Sequence, residues 1–135
     1  MYWQAKDIED IAKRVMVKYG DVSHLRNPRC RIAYQHCDKM KKEKQKVVLA
    51  DTTMINEKLK VFLPYDFIIT VYDGSCVGLD EERMERLVYH ELKHVGFEDD
   101  DDPCRFYIIS HDIEDFKDVV DKWGTDWVKY DKEGT

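Results

Sequence analysis

The chain lacks the features that mark several large classes of protein. No apolar stretch approaches the ~20 residues that a membrane span requires; the longest candidate is Phe67-Ile68-Ile69-Thr70-Val71-Tyr72. The first residues, Met1 to Asp7, contain no apolar signal core and turn acidic at once, which predicts a cytoplasmic protein. Positive charge is not in excess. Lys and Arg number 22 against 28 Asp and Glu, a net charge of -6, so the global field does not invite nucleic acid. The four cysteines, Cys30, Cys37, Cys76 and Cys104, form no C-x-x-C pair and are read as reduced thiols. A zinc site around Cys30 and His36-Cys37 would match no standard knuckle spacing, so these thiols are expected as small buried residues. Internal repeats and a dividing linker are also absent. What is left is 135 residues, 43% of them apolar, which is too apolar for disorder and predicts one soluble domain over 1–135.

Periodicity divides the chain into short elements. Ile8, Ile11, Ala12, Val15, Met16 and Tyr19 predict a helix over 7–19, with Asp7 as cap and Gly20 as stop. Residues 21–29, with Asn27-Pro28, read as a loop and 30–34 as a short strand. The Lys-rich stretch 39–46 has no Arg and no interleaved aromatics, so a solvated hairpin or loop is expected rather than a nucleic-acid arm. Val47 to Ala50 reads as a strand, followed by a less regular stretch to Pro64. Phe67 to Tyr72 is the clearest strand, closed by the turn Asp73-Gly74. A helix is expected from about Asp80 to Val95, with Glu81 and Glu82 in the first turn and Gly96 ending it. Glu98 to Asp102 reads as a solvated acidic loop; it lacks the alternating ligand-and-Gly order of a calcium loop. A strand over 104–109 and a helix from His111 to Trp123 complete a small α+β domain.

The chemistry lies in His90-Glu91-Leu92-Lys93-His94, an H-E-x-x-H inside the predicted helix. On a helix, residues i and i+4 lie one above the other, so two imidazoles so placed can reach one ion at ~2.0–2.1 Å. At about 100° per residue, Glu91 falls within the arc of Leu87, Met84, Val95 and Val88, opposite Glu85, Arg86, Tyr89 and Lys93. A carboxylate on the core-facing side costs desolvation unless it has a partner. Water on a metal would be one, with the carboxylate as its proton acceptor. A third ligand is needed if one position is to stay open. The metzincin extension is missing, because Phe97 stands at its Gly and Asp100 at its last His. His111 is the favoured third ligand, with Glu114, Asp100 and Asp112 as alternatives. Asp112, Glu114 or Asp115 could orient a ligating imidazole from behind.

These segments resemble the phage metallopeptidases, a zincin-like family of phage and prophage genes. The likeness runs through Val48-Leu49-Ala50-Asp51-Thr52, Tyr65-Asp66-Phe67-Ile68-Ile69, Tyr89 to Val95 and His111-Asp112-Ile113-Glu114-Asp115-Phe116, over about 47–123. SprT-like proteases of DNA–protein crosslinks are a more distant likeness, without the zinc ribbon that some of them carry. The resemblance implies a zincin-like fold and a Zn2+-dependent peptidase, with His90, His94 and His111 as ligands and Glu91 as general base. The expected partner is a peptide or protein substrate, with no membrane and no nucleic acid. In zincin-like folds an edge strand beside the site pairs with extended substrate, and Phe67–Tyr72 is the candidate. Tyr65, Tyr72, Tyr89 and Tyr107 are available types for an oxyanion donor, none singled out. The competing reading is a non-catalytic, zinc-stabilised binding module, in which a fourth ligand such as Cys104 or Asp100 would close the site to water.

Overall fold

A computed structural model describes residues 1–100 and 102–111. The elements run β1 (Tyr2–Gln4), α1 (Lys6–Lys18), a 3-10 stretch (Gly20–Arg26), β2 (Ile32–Cys37), β3 (Lys41–Glu43), β4 (Lys46–Val48), β5 (Ala50–Met54), α2 (Glu57–Lys60), β6 (Phe67–Tyr72), α3 (Glu81–Lys93), β7 (Val95–Glu98) and β8 (Arg105–Ile108). The helix expected over 111–123 lies, beyond His111 itself, outside the described residues. Among the described residues no helix is long and apolar enough to cross a membrane.

Four strands form a mixed sheet in the order β1-β2-β6-β5. β2 runs parallel to β6, while β1 and β5 are antiparallel to their neighbours. This arrangement bears out the α+β expectation and corrects one part of it. Phe67–Tyr72 was expected as an edge strand, but β6 is internal, with β2 on one side and β5 on the other. The physical reason is in its composition: Phe67, Ile69, Val71 and Tyr72 are all buried, and burial on both faces suits an interior strand. The edge nearest α3 is therefore β5.

α1 presents Ile8, Ala12, Val15 and Met16 to the core, and α3 presents Leu87, Val88, Glu91 and Leu92. The two helices pack on one another and, with Phe67, Ile69 and Val71, form the core. Their exposed sides are tied by Lys18 to Glu85 at 3.0 Å.

Local boundaries differ from the periodicity reading for identifiable reasons. Asp7 does not cap α1; the cap position is Ala5, and Asp7 turns to His36 instead. Gly20 opens the 3-10 stretch rather than a loop. Val47 to Ala50 is divided between β4 and β5. The Lys-rich segment is, as expected, a hairpin, of β3 and β4, whose turn residues Lys44 and Gln45 have φ of 49° and 66°, as a two-residue turn between twisted strands requires. Asp80 caps α3, its Oδ1 accepting from the Arg83 N–H at 2.8 Å.

Gly96 does not act as the helix stop. α3 ends at Lys93 and Gly96 lies inside β7, opposite Tyr107. A Cβ there would stand 2.3 Å from the Tyr107 ring, so only glycine lets β8 lie against β7. Glu98, read as loop, is the last residue of β7 and pairs with Arg105 at 3.2 Å.

A three-histidine cluster beside a buried glutamate

α3 places His90 and His94 one turn apart at its C-terminal end, and the β7–β8 hairpin returns the chain to bring His111 beside them. Main-chain bonding fixes that return: the Ile109 N–H donates to the His94 carbonyl at 2.8 Å. The Nε2 atoms of His94 and His90 lie 3.3 Å apart, and those of His111 and His90 3.0 Å apart. Two ligands bound at 2.0–2.1 Å to one tetrahedral ion stand about 3.3–3.4 Å apart, so this spacing suits a chelated ion. The ligand atoms of the three residues all lie within 4.8 Å of one another. Among the described residues no cysteine or carboxylate joins the group. Asp100 and Cys104 are thus outside it, and Asp112, Glu114 and Asp115 lie beyond the described residues.

The electrostatics suit a cation. Burial is the main influence that pushes the His90 imidazole down to about 3, and the neighbouring His94 and His111 add to it. His90 is therefore neutral at physiological pH and keeps a lone pair. His94 Nδ1 lies 2.7 Å from the Ile109 carbonyl, an acceptor, so that nitrogen is the donor and Nε2 is the atom turned toward His90. The Ile109 carbonyl thus orients His94 from behind, while Asp112, Glu114 and Asp115, the carboxylates considered for that role, lie outside the described residues.

Glu91 lies on the core-facing side, only 4% exposed. Burial pushes its carboxyl up to about 7, opposed by a Thr52 hydrogen bond and reinforced by the charge of Asp51. The Thr52 hydroxyl lies 2.8 Å from Glu91 Oε1 and 3.1 Å from the Glu91 carbonyl. Among the described residues the second carboxyl oxygen, Oε2, has no hydrogen-bond donor. A buried acceptor without a donor is costly, and a nearby cation with its water relieves that cost. The residues present therefore fit a metal ion.

Thr52 stands in the segment Val48 to Thr52 that carries part of the family resemblance, and nothing local to it marks a role. Its segment, Asp51-Thr52-Thr53-Met54, lacks the apolar alternation that announces a strand. β5 bonds to β6 through Leu49, whose carbonyl accepts from Tyr72, and Ile55, whose N–H donates to Asp66. By antiparallel alternation the main-chain groups of Ala50, Thr52 and Met54 point away from β6, along an edge that no other described strand pairs with.

Three of the four tyrosines considered as oxyanion donors are engaged elsewhere. Tyr72 donates to Asp51 at 2.7 Å, Tyr89 to Asp21 and Tyr107 to Glu98. Tyr65 is exposed. Cys30, Cys37 and Cys76 are buried free thiols and Cys104 is a half-buried one. His36 takes part in no thiol site: its ring nitrogens contact Asp73 at 2.7 Å and Asp7 at 2.8 Å.

No curated protein and no solved structure matches the chain. The model of the family described as "Putative phage metallopeptidase" matches residues 1–133, and with it the whole of this site, so the chain belongs to the phage metallopeptidase family.

Proposed function

We propose that the protein is a zinc-dependent peptidase with a zincin-like arrangement, acting in the cytoplasm on peptide or protein substrates. The family description supports a metal-dependent peptidase. The observation that carries the finer reading is the approach of three imidazole Nε2 atoms beside a buried carboxylate with one oxygen lacking a donor. His90, His94 and His111 would hold the ion. Imidazole donors suit zinc, and three protein ligands leave one position for chemistry. When bound, zinc supplies an acidified water and a polarised scissile carbonyl.

The chain's own residues do the rest. Glu91 accepts the proton of the attacking water and returns it to the leaving amine, work that a carboxyl raised toward neutrality performs at physiological pH. The edge of β5 gives an extended peptide main-chain partners at Ala50, Thr52 and Met54. This assignment replaces β6, whose main chain is committed to β2 and β5. A structural zinc would be expected to have a fourth protein ligand; neither Cys104 nor Asp100 belongs to the cluster.

The test is a mixture of unstructured peptides incubated with zinc-loaded protein and read by mass spectrometry. Wild type should cleave, and Glu91→Gln should retain zinc while losing about 10²–10⁴-fold in rate, the usual worth of general acid–base catalysis. A Glu91→Gln protein as active as wild type would refute this mechanism.

A further inference from the structure

We infer that Thr52 is a positioning residue: its hydroxyl locks Glu91 so that Oε1 is occupied and Oε2 is the oxygen left to meet the attacking water. The inference rests on the peptidase reading for its consequence, but on geometry for its substance. Thr52 sits in β5, an element of the sheet, whereas Glu91 sits in the last turns of α3. The hydroxyl has a single proton and two acceptors on the same residue, Oε1 at 2.8 Å and the main-chain carbonyl at 3.1 Å. That carbonyl also accepts from the His94 N–H at 3.0 Å, in the turn that ends the helix. Thr52 therefore touches Glu91 at both its side chain and its backbone, beside both helix histidines.

A long, unbranched carboxylate has three torsions to fix, and the Glu91 carboxyl has no other hydrogen bond among the described residues. Threonine suits the task because its branched Cβ restricts χ1, and the strand fixes where that Cβ stands. Serine could make the same bond with less restriction, and valine could fill the space without making it. General-base catalysis is sensitive to this kind of placement, since misplacing a catalytic group by about 1 Å can cost as much as 10²-fold.

The experiment compares Thr52→Val and Thr52→Ser with wild type in two readouts. In metal-free protein, the three-bond NMR couplings about χ1 of Glu91 report whether its side chain holds one rotamer. In zinc-loaded protein, kcat and KM are measured on the best-cleaved peptide of the mixture above, together with zinc per chain. Wild type and Thr52→Ser should show a single rotamer, and Thr52→Val averaged couplings. Thr52→Val should keep its zinc and lose about 10- to 100-fold in kcat with KM little changed, while Thr52→Ser recovers most of the loss. Unaveraged couplings, or an unchanged kcat, in Thr52→Val would overturn the inference. So would loss of zinc in step with activity, because Thr52 would then support the helix end rather than the carboxylate. If no peptide is cleaved by wild type, yet the couplings behave as stated, the positioning stands and the peptidase reading fails.

Discussion

His36 and the His90–His94–His111 cluster place the same side chain in opposite electrical settings. The His36 ring stacks on Trp3 with centroids 5.5 Å apart and has a carboxylate at each nitrogen. A proton on each nitrogen would satisfy both carboxylates, so these contacts favour the imidazolium form. Burial, the largest single influence, pushes its pKa down, but Asp7 and Asp73 together outweigh it and the net shift is upward. The two carboxylates lie at opposite edges of the ring and cannot converge on one ion. In the cluster the imidazoles face each other, joined by no carboxylate among the described residues, and His90 is driven toward neutrality. One setting favours the proton and ties elements together; the other disfavours it on His90 and leaves that ring's lone pair for a metal. The difference lies in what surrounds each ring, not in the residue type.

The comparison can be sharpened in order of expected effect. Saturating zinc should stabilise wild type by about 3 kcal/mol when present at a hundred times its Kd. That corresponds to roughly 10 °C in melting temperature for a chain of this size. A His90→Ala, His94→Ala double variant should show no such shift in a thermal melt, while His36→Gln should show all of it.

The second prediction concerns Glu91 without metal. Its folded pKa, about 7, lies above the unfolded value of 4.5. Between those values the folded state holds a proton that the unfolded state has released, so stability falls as pH rises through this window. Metal-free Glu91→Gln should therefore be more stable than wild type at pH 8, by about 1–3 kcal/mol, with the gain largely gone at pH 4.5. Urea unfolding at the two pH values measures it.

The third prediction carries the opposite sign. His36 gains protonation on folding, so its stabilisation is complete below its ordinary pKa of 6.5 and is lost as pH rises through the raised folded value. His36→Gln should cost about 1 kcal/mol at pH 5.5 and less at pH 9, with zinc binding unchanged by calorimetry. Smallest is the contrast between its two partners. Asp73 is 40% exposed and Asp7 65%, so Asp73→Asn should cost more than Asp7→Asn, each within about 1 kcal/mol by urea unfolding.

What could be read from the sequence follows from where the information resides. His90, Glu91 and His94 are local to one helix, so periodicity alone sets them on neighbouring faces and marks Glu91 as a carboxylate in an apolar arc. The proximity of His111 rests on the β7–β8 return, which no period encodes; the family-like segment pointed to it. Thr52 was out of reach because its strand is short, polar and half-exposed, so nothing in its alternation signals β structure. β6 was legible as a strand but not by its place, although its continuous apolar run already favoured an interior position. Gly96 was misread because its reason to be glycine is the Tyr107 ring eleven residues away, not the helix end one turn behind it. The doubly bonded His36 depends on Asp7 and Asp73, far apart in sequence, and had no local signature.

The most direct test of the central claim is zinc per chain, by elemental analysis, for wild type and for His90→Ala, His94→Ala and His111→Ala. The account predicts about one zinc in wild type and a large loss in each variant, since each removes one of three protein ligands. Undiminished zinc in His111→Ala, or no zinc in reconstituted wild type, would contradict it.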